Sequence, residues 1–290
     1  MFDRLVEQFC VFDDFVSAVR AQIAGRLLSD GKSERRRGPP AGLVDSEIMT
    51  ILIMYHESRF KNFKIFYNVM ILKIFRTCFP CAPCYERFLT LTKYVLPLLT
   101  LFLDSMAPTK TGIYYVDSTP LPVCHNKRIS KHRVFAGLAA RGRTSVGWFF
   151  GFKAHFIFND LRQVVAVKIT PGNVNDTVPL PELSNNLSGK IFGDKGYVSK
   201  KVAKILSERG LFLLTRPKKN MAPLPISVHD EILLKGRSIA ETIIGHIKEF
   251  SSLRLPKHRS VPNAFTHIIA AIVAYQFQPL TLSRKGTANP

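Results

Sequence analysis

Acidic residues are scarce in this 290-residue chain: Asp and Glu total 21 against 41 Lys and Arg, leaving a formal net charge of +20. Such an excess repels itself in any compact state, and a polyanionic partner is the physical reason to keep it. Nucleic acid suits it better than an acidic membrane surface. Cysteine is sparse too, five residues in an odd count, which argues against a secreted disulfide scaffold and for a reducing, cytoplasmic setting. The start, Met1-Phe2-Asp3-Arg4, carries an acid early and no uninterrupted apolar region, so no secretory signal is expected. No stretch reaches the roughly 18 apolar residues that span a bilayer, and no membrane partner is expected. What is plentiful is Phe, 22 residues within a hydrophobic share of 46%, and that excludes a disordered basic tail. The length allows about two domains.

The first of these reads as all-helical. Leu5, Val6, Phe9, Phe12, Phe15, Val16, Val19 and Ile23 follow a three-and-four spacing, which predicts an amphipathic helix to about Leu28. Residues 29–42 combine Gly, a Pro pair and Arg35-Arg36-Arg37. They form a basic linker that serves either as a solvated loop or as an arm tracking phosphates. Asp45 is placed to cap the next helix, with Glu47 in its first turn. Further helices are expected at 62–75, 85–94 and 95–106, so residues 1–106 form a helical region whose basic faces suit a DNA groove. Cys78, Cys81 and Cys84 lack a fourth ligand at ferredoxin or zinc spacing, the ferredoxin position being Phe88, and read as part of a Pro-broken turn.

From Thr111 the apolar period changes to that of strands. Ile113–Val116 is a short strand ending in Asp117; 147–158 and 163–169, separated by Asn159-Asp160, read as a hairpin; Lys190–Gly193 is a strand ending in Asp194. Helices at 178–183 and 199–209, a strand at 211–215 and a mainly helical segment at 230–250 complete the order β, β, β, α, β, α, β, α. That is the plan of a ribonuclease-H-like core, a mixed sheet flanked by helices. The fold class expected is therefore α/β: a ribonuclease-H-like catalytic domain over 107–290 behind an all-helical N-terminal region.

Asp117 and Asp194 each close a strand, where open α/β sheets bind ligands, and Glu241 lies on the helix that follows. Three converging carboxylates repel one another unless cations neutralise them, and hard oxygen donors suit Mg²⁺, with Mn²⁺ as substitute. Two such ions, roughly 3.5–4 Å apart, promote in-line displacement at a phosphodiester. At about 100° per residue, Arg237 and Lys248 share a helix face with Glu241, setting cations for phosphates beside the carboxylate.

These blocks carry a resemblance. Val116-Asp117-Ser118-Thr119, Gly151-Phe-Lys153, Thr170-Pro-Gly-Asn173-Val-Asn-Asp176, Gly193-Asp194-Lys-Gly-Tyr197 and Arg237-x-x-x-Glu241-x-x-x-x-x-x-Lys248 resemble the signature blocks of bacterial DDE-type insertion-sequence transposases, most closely the family numbered nine-eighty-two. The likeness extends to Phe12-Asp13-Asp14-Phe15, Asp45-Ser-Glu47-Ile48, Asn62-Phe63-Lys64-x-x-Tyr67 and 271–275. It implies two divalent ions held by Asp117, Asp194 and Glu241. It also implies cleavage and strand transfer at terminal inverted repeats, double-stranded DNA as partner and target, a homodimer in the DNA complex, and a bacterial, nucleoid-associated location. One departure stands out: the related signature carries Tyr three residues before the Arg, and here that position is Leu234.

The segment after the first strand holds Lys127, Arg128, Lys131 and Arg133, and then Arg141 and Arg143, a basic stretch suited to closing over DNA. Lys153 is a candidate phosphate contact or an outward strand Lys, and Trp148 reads as core at the start of the hairpin. Asn173 and Asp176 organise a loop beside the site or simply form turns. Competing readings are a nuclease of the same fold without strand transfer and a catalytically silent DNA-binding regulator. His125-x-x-Arg128 superficially fits a tyrosine-recombinase motif, but no suitable nucleophilic Tyr follows it.

Overall fold

The computed structural model describes residues 2–30, 42–106, 108–217, 221, 226–251 and 258–278. The chain forms two compact units. One takes Met1–Met106 and, from far down the chain, Ser260–Phe277; the other includes the intervening residues to Glu249.

The helical unit starts with α1 (Phe2–Asp30), which buries Leu5, Gln8, Phe12 and Val16 along one line, a narrower stripe than the sequence spacing suggested. Its central member is α2 (Asp45–Glu57), buried from Ile48 to His56. The N-cap is Val44, not Asp45. The Glu47 carboxylate accepts the Val44 N–H at 2.8 Å, while Asp45 turns outward to Arg20 at 2.8 Å. Asn62 caps α3 (Phe63–Phe66) by accepting from the Lys64 and Ile65 N–H groups, and the chain continues as a π-helical stretch over Tyr67–Ile74. Then come α4 (Tyr85–Thr92) and, after one 3₁₀ turn, α5 (Leu96–Ser105). Joined end to end, Tyr85–Ser105 is a helical run of 21 residues, long and apolar enough by length and composition to cross a membrane, which differs from the expectation of no such stretch. Here Phe88, Leu91, Val95, Leu99 and Phe102 enter the core of the unit.

In the second unit, β1 (Ile113–Cys124), β2 (Ala140–Thr144), β3 (Gly147–Asn159) and β4 (Val164–Pro171) precede α6 (Leu180–Leu183), β5 (Gly189–Gly193), α7 (Lys200–Ser207) and β6 (Leu211–Thr215). After them come α8 (Val228–Lys235) and α9 (Ser238–Ser251). The sheet order is β2-β3-β1-β5-β6, with β4 also paired to β3. Pairings among β1 to β4 are antiparallel, whereas β1, β5 and β6 run parallel. Read without β2, this is β4-β3-β1-β5-β6, the ribonuclease-H-like mixed sheet. The added strand β2 carries Arg141 and Arg143, and gives order to residues expected to be a loop.

Three boundaries differ from expectation. First, β1 runs past Asp117 to Cys124, because β3 pairs with it along that length while β5 pairs only with Ile113, Tyr114 and Tyr115. Pro120 and Pro122 follow Ser118 at two-residue spacing on the side β5 has left, so their missing N–H groups cost no ladder bond. Second, the helix expected over 230–250 breaks at Gly236-Arg237 into α8 and α9. Third, α10 (Val261–Phe277) belongs with the helical unit, so 107–290 is not one body. Ala264 and residues 266–275 are buried, and a helix apolar on all sides must be enclosed; α2 and α5 pack against it.

One face of the sheet, through Tyr114, Val116, Ile157 and Ile191, packs on Leu180, Val202 and Leu206 of α6 and α7. Lys190 Nζ bonds Asp230 Oδ1 at 2.6 Å and ties α8 to β5.

Candidate active site

The parallel register places the first two acids side by side. Tyr115 pairs with Phe192; two residues further along each chain stand Asp117 and Asp194. With Asp194 still extended (φ −77°, ψ 179°), both carboxylates emerge at one level of the sheet. Asp194 then caps the 3₁₀ turn Lys195–Tyr197, its Oδ1 accepting the Gly196 N–H at 2.8 Å. Asp117 Oδ1 accepts the Ser118 N–H at 2.8 Å, a donor left over where β1 has lost β5.

The corner between α8 and α9 supplies the rest. Arg237 sits at this corner, one residue before α9, and its Nη2 bonds Glu241 Oε1 at 2.7 Å. Gly236 lies beside the Tyr115 hydroxyl, where an added Cβ would stand 3.4 Å away. An open cavity of about 400 Å³ results, lined by Asp194, Lys195, Arg216, Arg237 and Glu241.

Electrostatics link these groups. Burial is the largest influence on Asp117 and pushes its pKa up to about 6; the charges of Asp194 and Glu241 push the same way, against the Ser118 N–H and the Arg237 guanidinium. Three negative groups therefore share one neighbourhood in which Arg237 supplies positive charge. The donor set, carboxylate oxygens only, suits a hard divalent cation. Among the described residues, however, no three His, Cys, Asp or Glu are gathered closely enough to hold a metal ion, and Glu241 is turned to Arg237 instead. Replacing Arg237 by Ala should move the Asp117 titration midpoint above its wild-type value of about 6. Carboxyl-carbon NMR titration checks this, and an unmoved midpoint would remove Arg237 from the site's electrostatics.

The remaining candidates lie apart from this cluster or play other parts. Lys127, Arg128 and Lys131, on the 3₁₀ turn that follows β1, are exposed, as are Arg133 and, on β2, Arg141 and Arg143. Lys248 is half-buried on α9, two turns beyond Glu241. Arg35, Arg36 and Arg37 lie outside the described residues. Lys153 is not an outward strand Lys: it is 9% exposed, and its Nζ donates to Asp176 Oδ1 at 2.9 Å and the Val174 carbonyl at 2.8 Å. Trp148 is not core. It is 61% exposed with Arg143 over its ring at 5.8 Å, because β2 and the start of β3 form a ribbon that leaves the ring's outer side uncovered.

Sequence reasoning missed Arg216 and Lys195 as cavity residues. Both follow the carboxyl end of a parallel strand, β6 and β5, and that position was the available signal. It also missed the burial of Tyr197, which is 2% exposed and whose hydroxyl lies beside Ser118. Burial and the nearby charges of Asp176, Asp117 and Asp194 push that phenol far up.

Residues 107–261 match the family model described as a transposase DDE domain. No curated protein matches the chain. Among solved structures, the chain is similar to the piggyBac transposase in its synaptic complex with hairpin DNA, at 12% identity and a TM-score of 0.49, over 84% of this chain and 68% of that one. The family match spans more than half of the sequence and contains Asp117, Asp194 and Glu241: the chain belongs to the DDE transposase domain family.

Proposed function

We propose that this chain is the transposase of a bacterial insertion sequence of the family numbered nine-eighty-two, and that it binds the element's terminal inverted repeats, cleaves them and transfers the strands to target DNA. The observation carrying the reading is the half-buried Asp117 carboxylate, at the level where β1 and β5 part, under the charges of Asp194 and Glu241. Asp117, Asp194 and Glu241 would hold the metal. Divalent ions there, Mg²⁺ or Mn²⁺, would supply Lewis-acid chemistry for a phosphodiester displacement, activating the attacking oxygen and steadying the leaving one. Glu241 must leave Arg237 to join the set, which frees the guanidinium for a phosphate oxygen of the DNA end. Lys127, Arg128, Lys131, Arg133, Arg141 and Arg143 form an exposed basic edge for the duplex backbone, Arg35 to Arg37 add a basic arm, and Lys248 continues the α9 cations. Two copies of the chain act on the paired ends.

The test uses a labelled fragment carrying the inverted repeats that flank the gene, a plasmid target and Mg²⁺ or Mn²⁺. Nicks at the repeat ends and a joined product, both lost on adding chelator, are the expected outcome. Hydrolysis without joining would make the protein a nuclease, and binding without cutting a silent regulator.

A further inference from the structure

We infer that Lys153, Asp176 and Ser118 form a partly buried positioning network that sets the Asp117 carboxylate, so that two of the sequence blocks outside the acidic triad serve the chemistry and not DNA contact. The inference rests on the function proposed above and assigns those blocks, Gly151-Phe-Lys153 and Thr170–Asp176, a shared task.

The geometry is a chain of short contacts that ends at Asp117. Lys153 Nζ donates to Asp176 Oδ1 at 2.9 Å and to the Val174 carbonyl at 2.8 Å. The Ser118 hydroxyl donates to the same Asp176 oxygen at 2.9 Å, and the Ser118 N–H donates to Asp117 Oδ1 at 2.8 Å. His155, 1% exposed, stands on the flank: its Nδ1 is 3.7 Å from that Asp176 oxygen and its Nε2 bonds Thr170 Oγ1 at 2.8 Å. Register explains the meeting. Ser118 is opposite His155 and Pro120 opposite Lys153 on the β1–β3 ladder, while Thr170 is opposite Lys153 on β4. Alternation therefore puts Ser118, Lys153, His155 and Thr170 on one face of the sheet, and Asp117 on the other. The loop after β4 brings Asp176 onto the first face.

Stability alone is a poor reason to bury an ammonium here. A buried ion pair is commonly no better than apolar residues of the same volume, and what it supplies is a defined geometry. Lys153 also keeps Asp176 from adding an uncompensated negative charge behind two carboxylates that already repel each other. Fixing Ser118 holds Asp117 Oδ1 on its N–H and leaves Oδ2 with a set direction. Groups that orient metal-binding side chains in this way typically affect affinity or activity by about ten- to a hundredfold.

The decisive variants are Ser118→Ala, Ser118→Thr, Lys153→Met and Asp176→Asn in the full chain. The readouts are Mn²⁺ affinity of the DNA-free protein by electron paramagnetic resonance, DNA-end affinity, and single-turnover end cleavage. Ser118→Ala should weaken Mn²⁺ binding about tenfold and slow cleavage at least as much, with end affinity unchanged, and Ser118→Thr should restore both. Lys153→Met and Asp176→Asn should act in the same direction; if either does not fold, the Ser118 pair carries the decision. Wild-type Mn²⁺ affinity and cleavage in Ser118→Ala would overturn the inference. So would a Lys153→Met protein that loses DNA affinity while binding Mn²⁺ normally, since Lys153 would then be a phosphate contact. Failure of the wild-type protein itself to bind Mn²⁺ and cut the ends would defeat the transposase reading and this inference with it, a pattern distinct from a wild type that does both beside an unaffected Ser118→Ala.

Discussion

Asp117→Asn should abolish end cleavage and, at the same time, make the metal-free protein more stable at neutral pH. Asn keeps an oxygen for the Ser118 N–H but loses the charge that the proposed metal binding and chemistry require. A cleavage loss of at least about a thousandfold is expected, equivalent to roughly 4 kcal/mol of transition-state stabilisation. The stability effect has the opposite sign because the native environment raises the Asp117 pKa from 3.8 to about 6. A carboxyl shifted upward favours the folded state while it is protonated, and the penalty of ionising it grows as pH rises from 3.8 through 6 and persists above. At pH 8 the Asn variant should therefore melt about 2–6 °C higher than the wild type, for a gain of roughly 1–2 kcal/mol. At pH 3.5 the two should coincide. Calorimetric scans in chelator at both pH values check this, and a variant that melts lower at pH 8 would show that Asp117 is not strained by burial and like charge. Divalent affinity of the wild type should in turn rise as pH passes through 6, where the carboxyl ionises.

Gly151→Ala should be strongly destabilising. Gly151 lies where β3 is paired with Pro122 of β1 on one side and Ala140 of β2 on the other, and its carbonyl accepts the Gly172 N–H at 2.9 Å. A Cβ there would stand 2.1 Å from the Leu121 carbonyl oxygen and 3.0 Å from the Pro122 Cα. Both neighbours are backbone, so no side chain can rotate away, and β1 must shift relative to β3. Overpacking of a well-filled core costs about 1–3 kcal/mol and more where the obstacle is rigid. A loss of about 3–5 kcal/mol, or a melting point lower by roughly 10 °C, is expected. Gly245→Ala is the control: on α9, an added Cβ meets nothing within 4 Å, and exchanging a helical Gly for Ala favours the helix by about 1 kcal/mol. Denaturant titration of both variants decides it; an unaffected Gly151→Ala would mean the strands separate there without cost.

The acids were legible for a reason that can be named. Each of the first two stands at or just beyond an apolar run of β period, and the alternation of such a run is a local property of the chain. So was the sheet plan, because the order of strands and helices along the chain restricts the topologies that avoid crossed connections. Lys153 was misread because a basic residue in a strand looks the same in sequence whether it faces water or a carboxylate brought in by a loop. Its partner Asp176 is 23 residues away, and nothing in local pattern couples the two. Trp148 was misread for the complementary reason. Its neighbours alternate like core residues, but whether a ribbon end is covered depends on what packs above it.

Composition, period and motif order by themselves determined the basic character of the chain, the helical beginning and the mixed-sheet plan. Each of these follows from local chain physics or from residue type. Tertiary structure alone decided that α10 returns to the helical unit and that β1 continues past Asp117 because β3 outlasts β5. It also decided that Arg237 turns a helix corner to hold Glu241, and that Lys153 is buried against Asp176. Those outcomes depend on contacts between residues far apart in the sequence, where burial and charge compensation, and not local propensity, select the arrangement.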